Sequence, residues 1–509
     1  MLSTLVWLPI AGALLVVLLG GVLDSKQLRR ISLGIAIATF GWSLFLLTKF
    51  DINFASMQMR ESLVWLDVIG LSYRLGIDGL SLPLILLNAL LLSIAIYIST
   101  DIQRPRLYFP LLLILSGSVN GAFLAENLLL FFLFFEVELV PLYLLIAIWG
   151  GEKRSYAATK FLIYTAISGV LILAAFFGMA ALGSGDATAF NLTFNYQDLN
   201  LDGVSKTTKV TLLILLLLGF GIKIPIVPLH TWLPDAHVEA STPVSTLLAG
   251  VLLKLGTYGL LRFGLGLLPD AWQAIAPFLA GWAVVSVIYG CLTAISQTDM
   301  KKMVAYSSVG HMGYILLALA AATPLSILGA TFQMVSHGLI SALLFILVGI
   351  VYKKTGTRNI NSLNGLLNPE RGLPVTGSLM ILAAMASAGI PGMVGFIAEF
   401  VIFRSSFAVF PIQTLFCMIG TGLTAVYFLI MIDRVFFGRF SVLKDGSDKP
   451  IDNIPLVKWQ ERYPAIALAL VIIFFGILPN FATRVIESSA NVIAPNRTQP
   501  NQIALAKSK

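Results

Sequence analysis

Charged residues are scarce in this chain of 509 residues: 11% are Asp, Glu, Lys or Arg, whereas 58% are hydrophobic. Soluble domains carry about 25% charged residues, so the composition excludes an ordinary soluble globular protein. Apolar runs of about 20 residues recur along the chain, which is the length that spans a bilayer as a helix. The alternating segments typical of a membrane β-barrel are absent. The sequence therefore predicts an all-α polytopic membrane protein.

Cysteines and the common cofactor motifs are also scarce or absent. Cys291 and Cys417 both lie in apolar segments without CxxC or metal spacing. The chain has no GxGxxG motif after a strand, no P-loop and no HExxH motif, and its four histidines lack metal-ligand spacing. The formal charge is +8, but no basic run with interleaved aromatic residues accompanies it. We therefore expect no metal, no bound cofactor and no nucleic-acid partner for this chain.

Windows of about 19 residues predict about fourteen transmembrane spans. Most of the 33 lysines and arginines fall in the loops that follow odd-numbered spans. By the positive-inside bias these loops are cytoplasmic, so both termini are expected on the opposite side. The approximate cores of the spans are 2–23, 31–49, 80–99, 107–125, 128–149, 160–182, 210–229, 243–263, 272–296, 303–322, 325–351, 374–410, 412–433 and 463–483.

The seventh span contains an unusual interruption. Lys223 comes directly before Ile224-Pro225, and Pro228 follows within one turn. Each proline removes a backbone hydrogen bond, and in lipid the freed carbonyls are tolerated only where protein or water satisfies them. The run Gly389–Gly392, with its own proline, interrupts the twelfth span. We therefore predict two broken helices, the first with a charge at its break.

The spacing of the two breaks predicts an internal repeat. Five spans separate them, so equivalent units would contain five spans each, and an odd number makes the second unit insert upside down. Paired broken helices in inverted units are the general pattern of secondary transporters, with ion sites at the breaks. The predicted parts are 1–106 with the first three spans, 107–264 with the first five-helix unit, 265–437 with the second, inverted unit, and 438–509 with a cytoplasmic loop, the last helix and a tail.

Ionisable residues at membrane depth are candidates for a proton relay, because chains of Asp, Glu, His and Lys carry protons where bulk water is absent. Glu136 and Glu138 are two residues apart and therefore face nearly opposite sides of a helix, about 200° apart. We take Glu136 as the candidate partner of Lys223 and leave Glu138 out of the set. Each candidate also has a plainer reading as a structural partner or a satisfied core residue. The set is Glu136, Lys223, Lys254, His311, His337 and Glu399.

Four further polar residues lie at the cytoplasmic mouth of the first broken helix. They are His230, Asp235, His237 and Glu239. They form either a polar entrance for protons or a network that connects helices, and the structural reading is slightly favoured.

At this point the sequence resembles a known family. The stretch GIKIPIVPLHTWLPDAHVEASTPVS is similar to the central signature of the proton-conducting, antiporter-like subunits of respiratory complex I. Those subunits resemble the large subunits of multi-subunit sodium/proton antiporters. The stretches LLAGVLLKLGTYGLLRF and FFEVELVPLYLLIAIWGGEKRSYAATKFLIYTA resemble the chain 4 type in its cyanobacterial and chloroplast form.

The resemblance implies roles for the six candidates. Glu136, Lys223 and Lys254 match the family's glutamate of the fifth span and the lysines of the seventh and eighth spans. His311 and His337 match polar residues on the connecting axis. Glu399 matches the exit-side group of the twelfth span, where sister subunits tend to have a lysine.

The resemblance also implies the setting: a proton-translocating membrane-arm subunit of an NAD(P)H (or ferredoxin)–plastoquinone oxidoreductase in a thylakoid membrane, with both termini in the lumen. The chain itself would hold no redox centre. NAD(P)H or ferredoxin, iron–sulfur clusters and plastoquinone would serve other subunits, and the partners would be membrane-arm subunits, including sister antiporter-like ones, and lipids. The alternative is a cation/proton antiporter subunit of a multi-subunit Na+/H+ exchanger, which would share the same buried residues.

Overall fold

The computed structural model describes residues 1–184, 192–443 and 454–495. Within these ranges the chain is mostly helical, with two short antiparallel sheets. Parts of the predicted cytoplasmic loop and of the tail, both within 438–509, lie outside the described residues.

The elements follow one another along the chain as helices with a few short strands. The helices are α1 (Leu2–Leu19), α2 (Ser25–Lys49), α3 (Leu82–Ile98), α4 (Pro105–Leu124), α5 (Leu128–Trp149), α6 (Arg154–Gly183), α7 (Lys206–Lys223), α8 (Trp232–Glu239), α9 (Thr242–Leu265), α10 (Pro269–Ile295), α11 (Met300–Ala321), α12 (Pro324–Thr355), α13 (Pro374–Ser387), α14 (Val394–Phe407), α15 (Pro411–Phe436), α16 (Trp459–Ile477) and α17 (Asn480–Ile493). The strands are β1 (Gln58–Leu66), β2 (Leu71–Ile77), β3 (Leu363–Asn364) and β4 (Ser441–Val442).

In the described part of the chain, 11 helices are long and apolar enough to cross a membrane. Helices α3, α13 and α14 are shorter, and α7 carries three lysines among its 18 residues. Each predicted span nevertheless coincides with one helix or, for 374–410, with the pair α13 and α14. The prediction of a polytopic helical membrane protein is confirmed, whereas the number of fourteen crossings stays a prediction.

Three helices, α9, α11 and α12, form the enclosed centre of the bundle. Their most apolar windows are 100%, 94% and 94% buried, whereas α1, α2, α6, α10, α15 and α16 bury only 28% to 44% of theirs. A helix that is apolar around its whole circumference belongs inside a bundle. Lys254, His311 and His337 lie on these three helices, so the fold places them away from lipid.

The first predicted break is present. Helix α7 ends at Lys223, and a helix resumes only at Trp232. Carbonyls near the break have side-chain partners: the Trp232 indole donates to the Ile222 carbonyl at 2.8 Å, and the Trp282 indole donates to the Val227 carbonyl at 2.5 Å. Because lipid offers no such donors, an interrupted helix of this kind is stable only inside protein.

The second predicted break is present as well. Helix α13 ends at Ser387 and α14 begins at Val394. Between them Gly389 and Gly392 have φ of 67° and 90°, in the left-handed region that favours glycine. At Gly476 of α16, an added Cβ would lie 2.3 Å from the Gly392 carbonyl oxygen, so the close approach of α16 to this break requires a glycine.

Strands β1 and β2 form an antiparallel hairpin between α2 and α3, which the all-helical prediction missed. Glu61 of β1 accepts hydrogen bonds from the amides of Leu2 at 2.8 Å and Ser3 at 3.0 Å. Arg60 forms a 3.0 Å ion pair with Glu126, between α4 and α5, where burial raises the pKa of the Glu126 carboxyl. The hairpin therefore ties together the N-terminus and the α4–α5 connection. Span-length windows do not detect it, because it lies between apolar segments.

A buried ion pair joins α9 to the start of α3. Arg262 Nη2 lies 2.5 Å from Asp78 Oδ2, and the two side chains are 8% and 4% exposed. The other oxygen, Asp78 Oδ1, accepts hydrogen bonds from the amides of Leu80 at 3.1 Å and Ser81 at 3.0 Å. The carboxylate thus neutralises the arginine and also satisfies amides at the beginning of α3.

We expect Asp78→Asn to lower the free energy of unfolding by about 3 kcal/mol, because removing one partner of a buried pair leaves the other charge buried and uncompensated. The measurement is the melting temperature of the purified protein in detergent. Arg74→Gln is the matched control, since it breaks the Arg74–Asp198 pair, whose side chains are 37% and 50% exposed. Exposed pairs contribute about 0–1 kcal/mol, so equal shifts for both variants would contradict the assigned role.

Candidate functional site

Lys223, the last residue of α7, pairs with Glu138 of α5. Its Nζ contacts Glu138 Oε1, and the two side chains are 1% and 0% exposed. The ammonium also lies 4.9 Å from the ring centroid of Phe135 and 5.9 Å from that of Phe161, within the range of cation–π attraction. The charge at the helix break is therefore held by one carboxylate and two aromatic faces.

The structure pairs Lys223 with Glu138 and not with Glu136, the partner that the sequence predicted. Glu136 Oε1 is buried and has no hydrogen-bond partner among the described residues. Its carboxylate packs against Gly169 of α6, where an added Cβ would lie 2.1 Å from Oε1. The sequence showed that the two glutamates face opposite sides of α5, but the choice between them depends on how α5 is rotated against α7. Glu138, which the sequence analysis left out of its candidate set, is therefore the carboxylate that contacts Lys223.

Lys254, on the enclosed helix α9, contacts His337 of α12 directly. Lys254 Nζ lies 2.8 Å from His337 Nδ1 and donates to the Ala249 carbonyl at 2.5 Å. A wide π-helical turn over Leu248–Leu252 precedes the lysine. Such turns are frequent at functional sites. The lysine is fully buried, and its contacts are an imidazole and a backbone carbonyl.

His311 of α11 lies next in line. Its ring centroid is 5.5 Å from that of His337. His311 Nδ1 is 2.7 Å from the Ser307 carbonyl, and Nε2 is 3.2 Å from the Ser387 carbonyl at the end of α13. The second helix break therefore meets the central helices at this histidine.

Glu399 of α14 follows His311. Glu399 Oε1 lies 3.6 Å from His311 Nε2, and Thr421 donates to Oε2 at 3.0 Å. An added Cβ at Gly389 would lie 2.9 Å from Oε2, so the carboxylate lies against the second break. Four of the six candidates are thus neighbours in space, and we call them the central chain: Lys254, His337, His311 and Glu399.

The four residues expected at the cytoplasmic mouth mostly make structural contacts. Asp235 pairs with Lys160 at 2.7 Å, and Glu239 Oε2 accepts from the Lys153 amide at 2.9 Å, so both connect α8 to the beginning of α6. The ring of His237 stacks on Phe345 with centroids 4.5 Å apart, and His230 lies edge-on to Tyr289 at 5.0 Å. None of the hydrogen bonds found among the described residues joins these four to the central chain. The described residues also contain no group of three or more His, Cys, Asp or Glu that could hold a metal ion.

Known proteins resemble this chain in sequence and in fold. Residues 125–424, which contain every candidate, match the family described as NADH:quinone oxidoreductase/Mrp antiporter, TM. The chain is 41% identical over 502 residues to NAD(P)H-quinone oxidoreductase chain 4 2 of Thermosynechococcus vestitus, covering 97% of this chain and 91% of that protein. A chain of respiratory complex I from Thermus thermophilus is 26% identical with a TM-score of 0.86, covering 97% and 99%. A chain of the Mrp complex from Dietzia sp. is 19% identical with a TM-score of 0.87, covering 97% of both, and this likeness concerns the fold alone.

We expect Glu138→Gln to destabilise the protein by about 3–5 kcal/mol, because Lys223 would remain as an unpaired buried charge. Glu136→Gln, two residues away on the same helix, is the matched control and should cost clearly less. Adding Lys223→Met to Glu138→Gln should recover part of the loss, since no lone charge then remains. Melting temperatures in detergent measure all three variants, and a larger loss for Glu136→Gln would identify Glu136 as the partner instead.

Proposed function

The chain belongs to the NAD(P)H-quinone oxidoreductase chain 4 family, and on that premise we propose that it conducts protons through the central chain. It is a membrane-arm subunit of a proton-translocating oxidoreductase, so the redox energy is released in other subunits. The observation that carries the proposal is the succession of Lys254, His337, His311 and Glu399, one on each of four packed helices. The first contact measures 2.8 Å and the last 3.6 Å.

The chemistry of Lys254 gives the succession a direction. A lysine ammonium can only donate, and a backbone carbonyl such as that of Ala249 does not take up its proton. The imidazole of His337 can take up the proton, because a neutral histidine accepts a proton at one ring nitrogen and can release one from the other. The proton then moves toward His311 and Glu399, and Thr421 holds the receiving carboxylate in place.

The ion pair of Lys223 and Glu138 supplies a switch for proton transfer along the central chain. Opposite charges in contact stabilise each other, and separating them in a dry interior makes the charged forms unfavourable, so a proton is released or captured. Helix α9 is close enough to respond: an added Cβ at Gly256, two residues after Lys254, would lie 3.1 Å from the Cβ of Lys223. In this proposal Glu136 belongs to the same end of the relay as Lys223 and Glu138, although its carboxylate faces α6 rather than Lys223.

The finer architecture follows from the two breaks. We propose fourteen crossings, with the inverted five-helix units at 107–264 and 265–437 between the segments 1–106 and 438–509. The interruptions at Lys223–Trp232 and Ser387–Val394 fall at corresponding places in the two units, which supports this division. The basic residues after odd-numbered spans support lumenal termini in a thylakoid membrane.

The partners in this proposal are sister antiporter-like subunits and other membrane-arm subunits, together with lipids. The β1–β2 hairpin supports such contacts, because β1 leaves Leu63 65%, Val64 70% and Trp65 55% exposed outside the helices. Adjacent exposed apolar residues of this kind are typical of protein interaction sites. NAD(P)H or ferredoxin, iron–sulfur clusters and plastoquinone belong to those partners.

A cation/proton antiporter subunit of a multi-subunit Na+/H+ exchanger is the second candidate function. The shared fold of the Mrp chain favours it, but the sequence identity to that chain is 19%, against 41% to an oxidoreductase chain 4. The buried lysines and glutamates would serve either function, so only the partners and the transported ion distinguish the two.

We expect Lys254→Met to lower the rate of proton translocation at least about tenfold, because the first donor of the central chain is lost. The measurement is acidification of the interior of thylakoid vesicles, cytoplasmic face outward, during plastoquinone reduction, with the amount of assembled complex determined in parallel. Lys206→Met, at the exposed start of α7, is the matched lysine control and should pump normally. Normal pumping by assembled Lys254→Met would refute the relay.

Purification of the tagged chain from its native membrane separates the two candidate functions. We expect iron–sulfur proteins to co-purify, with NAD(P)H- or ferredoxin-dependent quinone reduction in the eluate and no sodium/proton exchange after reconstitution. Sodium-dependent proton release from vesicles, without iron–sulfur partners, would establish the antiporter instead.

A further inference from the structure

Between His337 and His311 the central chain has no direct hydrogen bond, and His311 Nε2 and Glu399 Oε1, at 3.6 Å, are also beyond hydrogen-bond distance. His337 Nε2 is buried and has no partner among the described residues. Both nitrogens of His311 already face backbone carbonyls, of Ser307 and Ser387. A proton on His337 therefore has no direct acceptor on the next ring.

A small cavity lies at this link. Its volume is about 10 Å³, and His311, Gln333, His337, Ser387 and Glu399 contribute to its wall. A space of about 10–15 Å³ for the centre of a water is enough for one molecule, provided that it finds two to four polar partners. The wall offers these partners in His337 Nε2, the Glu399 carboxylate and the side chain of Gln333.

Gln333 lines this cavity but is not one of the four residues of the central chain. It lies on α12 one turn before His337, so the two side chains share a helix face. Its side chain is 1% exposed, and Oε1 is buried without a partner among the described residues. A buried amide oxygen left unsatisfied costs about 1–3 kcal/mol, so this atom calls for a donor in the cavity.

We propose that Gln333 is a positioning residue that holds one water between His337 and His311–Glu399, which completes the central chain. An amide accepts a hydrogen bond from water yet neither gains nor loses a proton near neutral pH, so it orients the water without competing for the proton. In the transfer, His337 Nε2 gives its proton to the water oxygen while the water passes another of its protons to the Glu399 carboxylate, because both His311 nitrogens face carbonyls. This inference rests on the proposed proton conduction.

The test compares Gln333→Met, which keeps an unbranched side chain of similar length but loses the amide, with Gln333→Glu, which keeps the acceptor oxygen. Thr331→Val is the matched control, because Thr331 is equally buried on α12 but bonds its own helix at the Ile327 carbonyl. We expect Gln333→Met to slow proton translocation about tenfold, as for one lost buried hydrogen bond. Gln333→Glu should slow translocation less than Gln333→Met, because it keeps the acceptor oxygen although its carboxyl can compete for the proton. The ratio of rates in H₂O and D₂O should rise only in Gln333→Met.

Equal pumping by Gln333→Met and Thr331→Val, with unchanged isotope ratios, would overturn the inference. If Gln333→Met fails to assemble, the structure of the wild-type complex at a resolution that shows waters decides: a water within hydrogen-bond distance of Gln333 Oε1 and His337 Nε2 supports the inference, and its absence refutes it. If Lys254→Met also pumps normally, the proposed relay itself has failed. If only Gln333→Met does, the positioning role alone is wrong.

Discussion

Charge buried away from water is the constraint on which this structure depends. A lysine at membrane depth is tolerated only with partners, and Lys223 and Lys254 have partners of different kinds. Lys223 has a carboxylate and two aromatic faces, so its charge is neutralised within the protein. Lys254 has an imidazole and a carbonyl, so its charge is not neutralised by a contact. In the proposed relay, the contacts of Lys223 therefore keep its proton in place, whereas those of Lys254 favour transfer of its proton to His337.

The two helix breaks give these residues their surroundings. An interrupted helix exposes carbonyls that lipid cannot satisfy, so each break must be enclosed by protein. At the first break, the indoles of Trp232 and Trp282 donate hydrogen bonds to backbone carbonyls, and Lys223 is the last residue of the helix. At the second, the carbonyl of Ser387 reaches His311, and Glu399 lies against Gly389. The breaks therefore concentrate polar backbone at the places where the ionisable side chains meet.

The enclosed helices explain why the proposed relay runs sideways through the bundle. Helices α9, α11 and α12 are buried over nearly their whole circumference, so polar groups on them meet one another or polar groups of adjacent helices, such as Glu399 of α14. Contacts between Lys254, His337 and His311 link the first predicted unit to the second.

The amino-acid order by itself determined the membrane class, the depth of the ionisable residues and the two breaks, because span length, hydropathy and proline chemistry are local properties. It also identified Lys254, His337, His311 and Glu399 as a set, although not as neighbours. Only the tertiary structure decided which groups touch: Lys254 and His337 are 83 residues apart, and their contact depends on how α9 packs against α12. The tertiary structure also decided that Glu138 rather than Glu136 contacts Lys223, because this depends on the rotation of α5. It likewise decided the pairing of the β1–β2 hairpin, which the pattern of apolar spans does not predict. Sequence gives the height of a residue in the membrane, whereas the direction of its side chain is set by the packing of whole helices.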